Sequence, residues 1–144
     1  LELSNQNLKA VMVLVKAADA IHAVIKKDAA AHGLNPTEFS ALELLYHQGR
    51  QPIQIIGKKV LINSSSITYV IDKLEKKKLV VRVDCPEDRR VTYAELTDEG
   101  RTLMARIFPE HEETINRVFG GLNEAETKAM IDSLKKIGYQ AQEV

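Results

Sequence analysis

Three consecutive serines, Ser64, Ser65 and Ser66, are followed at helical spacing by Thr68, Tyr69 and Lys73, and further along by the pair Arg89 and Arg90. Short hydroxyl side chains at the start of a helix suit hydrogen bonding to base edges; with free backbone N–H groups they also suit a phosphate. Arginines in a turn suit a groove of strongly negative potential, above all the minor groove of DNA. The run Lys76, Lys77, Lys78 suits a flanking phosphate backbone. Each group also has a plainer role: the serines as a polar helix start, the lysines as a solvated helix end that complements the dipole. One of the two arginines is expected to be structural, paired with an acid such as Asp72 or Asp88, which leaves Arg89 as the reader of DNA.

Catalysis finds no comparable set. There is no Gly-rich phosphate loop, no nucleophile elbow and no pair of carboxylates that a cleft would bring together, so no enzyme is expected. His22, His32, His47 and His111 show no i, i+4 pairing and no cysteine partners, so neither a metal nor a cofactor is expected. Cys85 is the single cysteine, which excludes an internal disulfide and fits a reducing cytoplasm. With acidic neighbours in a turn, it is not expected to act as a redox sensor.

The elements that must position these groups follow from periodicity. A long first helix runs from Asn7 to Ala31, with Leu8, Val11, Met12, Val15, Ala18, Ile21 and Ile25 recurring on one side, and Gly33 ends it. Asn35-Pro36 opens a second helix with core face Phe39, Leu42, Leu45 and Tyr46, ending at Gly49. A short third helix spans Ile53 to Leu61, and Asn63 is expected to cap a fourth from Ser64 to Lys77. That fourth helix buries Ile67, Val70, Ile71 and Leu74 and turns Ser65, Ser66, Thr68, Tyr69, Asp72 and Lys73 outward. At Leu79 the period drops to two, and 79–83 and 90–96 read as a hairpin around the turn-rich loop 84–89. Thr97-Asp98-Glu99 starts a fifth helix that reaches about Phe119, with Pro109 as a place for a kink. Gly120-Gly121 breaks it, and Asn123 to Glu126 cap a last helix with Met130, Leu134 and Ile137 inward.

Helix, helix, short helix, longer helix, hairpin is an arrangement that fits duplex DNA: a helix for the major groove and a basic ribbon beside it. The charge distribution agrees. The net charge is zero, yet residues 53–95 hold nine Lys and Arg (58, 59, 73, 76, 77, 78, 82, 89, 90) against six acids (72, 75, 84, 87, 88, 95), a local +3. No apolar run is long enough to cross a membrane, and Leu1 to Lys9 lacks a basic segment followed by an apolar stretch.

Three stretches resemble the multiple-antibiotic-resistance-regulator (MarR) family: 34–39 opening the second helix, 65–75 as recognition helix, and Pro86-Glu87-Asp88-Arg89-Arg90 running into Leu96-Thr97-Asp98-Glu99-Gly100. The resemblance implies a mainly α fold, a winged helix-turn-helix with a two-stranded hairpin wing and long N- and C-terminal dimerisation helices. The DNA-binding region would be 34–97, with 1–33 and 98–144 as the dimerisation region. It puts Ser65, Ser66, Thr68, Tyr69, Lys73 and Arg89 on the DNA and makes Asp88 the aspartate that braces the wing; Ser64 at the helix start and Arg90 at the hairpin tip complete the expected DNA-binding set. It implies a cytoplasmic homodimeric transcriptional regulator, a repressor by default, bound to double-stranded DNA at a pseudo-palindrome. A small aromatic or anionic effector that releases the DNA belongs to the same expectation. One residue departs from the pattern: Lys78 stands where the family usually has Gly, so either it takes a conformation that Gly reaches more cheaply or the turn there differs. Leu8, Val11, Val15, Ile115, Val118, Leu122, Leu134 and Ile137 are too apolar to be left bare and call for a partner surface.

Overall fold

The computed structural model describes residues 5–60 and 66–144. In these residues lie α1 (Gln6–Ala30), α2 (Pro36–Gln48), β1 (Gln51–Pro52), α3 (Ile53–Lys59), α4 (Ile67–Lys76), β2 (Val80–Asp84), β3 (Thr92–Leu96), α5 (Asp98–Val118) and α6 (Glu124–Glu143). The chain divides into two compact units, residues 1–108 and 109–144.

The first unit holds the core. Ala29, Phe39, Leu42, Ile56, Val70, Ile71, Leu74, Val80, Ala94 and Met104 form one buried cluster drawn from most of its elements. Local chemistry starts α2: Asn35 Oδ1 accepts from the Glu38 N–H at 2.8 Å while Glu38 Oε1 accepts from the Asn35 N–H at 2.9 Å. This reciprocal cap satisfies two otherwise orphaned donors, and Pro36 needs none at the first turn.

The sheet is three-stranded and antiparallel, ordered β1-β3-β2. The expected hairpin is present, with Val80 opposite Leu96 and Asp84 opposite Thr92. The additional strand β1 pairs Gln51 with Ala94 and Pro52 with Tyr93. Two residues, one a proline, carry no period that a sequence pattern could register, and an edge position is where a strand tolerates proline. The loop is also longer than expected: β3 begins at Thr92 because Cys85 N–H binds Val91 O and Val91 N–H binds Asp88 O, closing the turn inside the ribbon.

The helix α4 begins at Ile67 rather than at Ser64, with Ser66 as its N-cap in a non-helical conformation (φ −56°, ψ 129°) and no capping hydrogen bond from its side chain. A residue that starts a helix with non-helical dihedrals is a cap, a role serine favours. The cap expected at Asn63, and the positions of Ser64 and Ser65, lie outside the described residues.

In the second unit, the last turns of α5 lead through Gly120 and Gly121 to α6. Asn123 and Glu126 cap α6 reciprocally, Asn123 Oδ1 accepting at 2.8 Å and Glu126 Oε1 at 3.0 Å. No residue of α6 is buried. Among the described residues no helix is long and apolar enough to cross a membrane, and no cluster of His, Cys, Asp and Glu could hold a metal ion.

Candidate nucleic-acid interface

Two surfaces of the first unit could meet a duplex: the outer face of α4 and the tip of the β2–β3 hairpin. On α4, Val70, Ile71 and Leu74 are buried, which leaves Ser66, Thr68 and Tyr69 exposed and Lys73 half-buried. The Lys73 ammonium lies 5.4 Å from the centre of the Tyr69 ring, one helical turn away, so the two side chains support each other on that face.

At the tip, Asp88 and Arg90 form a closed pair. Asp88 Oδ1 accepts from the Arg90 backbone N–H at 3.0 Å and from its Nε at 3.1 Å, and Oδ2 accepts from Nη2 at 3.2 Å. The Arg90 side chain and then its backbone N–H hold the Asp88 carboxyl below the usual aspartate range. Arg89 is exposed and makes no hydrogen bond or ion pair among the described residues. The two neighbouring arginines thus have different surroundings, as the turn chemistry suggested.

The wing is tied to α4 by a residue that sequence reasoning passed over. Arg82 on β2 donates through Nη2 to Asp72 Oδ1 at 2.7 Å, through Nη1 to Glu75 Oε1, and through Nη2 to the Thr68 carbonyl at 3.4 Å. Partial burial works against its charge, but the hydrogen bonds and attraction of Asp72 and Glu75 outweigh that and raise its pKa above the ordinary arginine value. Asp72 was foreseen as a partner for Arg89 or Arg90; its partner is Arg82. A second link joins Arg50, ahead of β1, to the face of Tyr93 on β3 at 4.7 Å.

The junction after α4 is equally specific. Lys78 N–H binds Glu75 O at 2.9 Å and Leu79 N–H binds Leu74 O at 3.0 Å, the pair of bonds that ends a helix through one left-handed residue. That residue is Lys78, at φ 64°, where a side chain costs about 1–2 kcal/mol relative to the right-handed region. The chain then meets the start of α5: Thr97 Oγ1 donates to Lys78 O at 2.6 Å and accepts from the Gly100 N–H at 3.0 Å. Gly100 is required there, since a Cβ would stand 2.2 Å from the Leu79 carbonyl oxygen.

A winged helix with this tip and this start to α5 is shared with known proteins. The MarR family model matches residues 34–92. The HTH-type transcriptional regulator MhqR of Bacillus subtilis is 45% identical over 141 residues, covering 98% of this chain and 97% of the relative. The chain belongs to the MarR family. It is a DNA-binding transcriptional regulator of that family. Among solved MarR-family structures, Sco3205 of Streptomyces coelicolor, determined in complex with DNA, matches with a TM-score of 0.84 at 22% identity, over 96% of this chain and 89% of that one. BpsR of Bordetella bronchiseptica, whose DNA binding is regulated by 6-hydroxynicotinic acid, matches at 28% identity with a TM-score of 0.76, over 90% and 98% of the two chains. Within the MarR pattern, the Asp-Arg-Arg tip and the Leu-Thr-x-x-Gly run have the physical roles just described: a braced turn, and a helix start pressed against the strand before it.

Proposed function

We propose that this MarR-family protein is a homodimeric repressor, not an enzyme, that reads a pseudo-palindromic operator in the cytoplasm. The observation that carries the reading is the exposed polar stripe of α4 beside a wing tip whose Arg89 has no hydrogen bond or ion pair among the described residues. Ser64, Ser65, Ser66, Thr68, Tyr69 and Lys73 face the major groove in this reading, and Arg89 enters the minor groove. Asp88 and Arg90 hold the tip in shape, with Arg90 able to add a phosphate contact through its 90% exposed side chain. Residues 34–97 form the DNA-binding region, and 1–33 with 98–144 the dimerisation region.

Dimerisation is supported by apolar side chains that the chain does not cover. Leu8, Val11, Val15, Val118, Leu122, Leu134 and Ile137 are all exposed, and each gains about 1.5–3 kcal/mol when fully buried. A two-fold axis would set two recognition helices on successive major grooves, with half-sites about 10 bp apart. A bound dimer would exclude polymerase from a promoter, which makes repression the natural outcome. Regulation by a small aromatic or anionic effector is part of the proposal, supported by BpsR, which responds to 6-hydroxynicotinic acid.

The test begins with selection of bound fragments from random duplex DNA, followed by titration of the selected consensus and a scrambled duplex at several salt concentrations. Thr68→Ala should cost about 1–3 kcal/mol on the consensus and little on the scrambled duplex. Arg89→Ala should weaken consensus binding strongly with an unchanged melting temperature, and Arg90→Ala should weaken it less. Uniform losses on both duplexes for every substitution would remove α4 as the reader.

A further inference from the structure

Lys77 stands in the basic run that follows α4, where a lysine is expected to face solvent or phosphate. Its side chain is still 35% exposed, but its ammonium has partners within the protein. It donates to Glu38 Oε2 at 2.8 Å and to the Gly33 carbonyl at 2.9 Å, groups 39 and 44 residues away in sequence. Glu38 is 2% exposed, so its carboxylate depends on partners within the protein. Its other oxygen is already used to cap α2 through the Asn35 N–H.

The place where Lys77 attaches is itself tightly built. After α1, Gly33 takes a left-handed conformation (φ 72°), with Gly33 N–H bound to Ala30 O and Leu34 N–H bound to Ala29 O. Leu34 is buried, and Asn35 at once begins the cap of α2. The turn from α1 into α2 is therefore held by hydrogen bonds at every residue from 31 to 35. Lys77 joins that turn to the end of α4.

We infer that Lys77 is a positioning residue for DNA reading: by clamping the C-terminal end of α4 to the α1–α2 turn through Glu38 and Gly33, it makes the direction of α1 set the direction of α4. The inference rests on the DNA-reading role proposed above for α4. In a dimer formed through α1, the clamp would fix how far apart and at what angle two recognition helices stand. Lys76 and Lys78 are exposed neighbours that remain open to phosphate.

The test compares the parent with Lys77→Met, which keeps the aliphatic stem, and Lys77→Arg, which keeps a charged donor. Spin labels on cysteines at positions 16 and 76, in a Cys85→Ser background, report the α1–α4 distance within one chain when labelled chains are diluted into unlabelled protein. A narrow distance distribution in the parent, broadened or shifted by Lys77→Met and restored by Lys77→Arg, is the expected result. On the duplex selected by the parent, Lys77→Met should bind roughly tenfold more weakly, about the worth of one misplaced base contact. It should also tolerate half-site spacings that the parent rejects, while affinity for scrambled DNA and the salt slope stay unchanged.

Three results would overturn the inference. One is an unaltered distance distribution in Lys77→Met. Another is lost stability with unchanged operator affinity and spacing preference, which would make Lys77 structural only. The third is an equal loss on both duplexes with a flatter salt slope, which is the behaviour of a phosphate contact. Should the parent select no sequence at all, the proposed function fails, and the distance measurement still decides whether Lys77 clamps α4.

Discussion

The winged part of the chain and its terminal helices meet the demand for burial in opposite ways. Around Phe39, Leu42, Ile56, Ile71, Leu74 and Met104 the apolar side chains are all but sealed from water by other parts of the same chain. Along the first half of α1, Leu8, Val11, Met12, Val13 and Val15 stand in solvent, and α6 buries nothing. The first region is complete as a single chain, so its stability is an internal property. The second leaves apolar side chains in solvent, and in the proposed dimer a partner surface would cover them, so that its order would depend on concentration. Under that proposal the chain combines a DNA-reading part closed on itself with an assembly part that decides whether two such parts act together.

The sharpest way to break the self-sufficient region is Gly100→Ala. The added methyl meets a backbone carbonyl at 2.2 Å, and neither the turn at Lys78 and Leu79 nor the α5 start can yield without losing the Thr97 bonds. Urea unfolding should show a loss of about 3 kcal/mol or more. A loss below about 1 kcal/mol would mean that the start of α5 shifts freely. The other region should respond to charge: Val11→Glu or Ile137→Glu should each weaken dimerisation by about 1.5–3 kcal/mol, roughly a ten- to hundredfold rise in dissociation constant. Sedimentation across a dilution series measures this, and a parent that is monomeric at micromolar concentration would remove the contrast altogether.

Two smaller effects sharpen the picture of the winged region. Lys78→Gly relieves the left-handed strain but adds backbone freedom to the unfolded chain, so the net gain should be at most about 1 kcal/mol. A loss in that variant would show that the Lys78 side chain makes up for its backbone. Asp88 gives the smallest effect. Its carboxyl is held below the usual range, so its pairing with Arg90 is fully present above the ordinary aspartate value of about 3.9. The pairing is lost as pH falls through the depressed value. Amide shifts of residues 88–90 followed by NMR should move in that acid window in the parent and stay still in Asp88→Asn. Movement at higher pH would mean that another group controls the tip.

What could be seen in the sequence was whatever is local. The start of α2 at Asn35-Pro36, the unusual position of Lys78 and the turn at Asp88 all involve residues a few positions apart, and each has a recognisable composition. Arg90 rather than Arg89 bonds to Asp88, in line with the expectation that one of the two would be structural. Contacts between distant residues left no such trace. Arg82 looked like any outward residue of a strand, Glu38 like an ordinary acid in the first turn of a helix, and Lys77 like one of three solvated lysines. Their pairing depends on how α2, α4 and β2 pack, which periodicity does not report. The strand β1 was hidden for a related reason: it is too short to show alternation and exists only because β3 lies beside it. The start of α4 was set too early because serines are as much at home in a cap as in the turn before it.

The strand order has a consequence for how the protein is made. The middle strand of the sheet, β3, is the last of the three to leave the ribosome. Until residues 92–96 emerge, neither β1 nor β2 has a partner in the sheet, so no part of the sheet can form while the first 91 residues are being synthesised. Once β3 appears, the loop of residues 85–91 lets it find β2 at small entropic cost, whereas pairing Gln51 with Ala94 closes a far longer loop. The ribbon should therefore form first and the edge strand dock last, with non-local pairing as the slow step of folding.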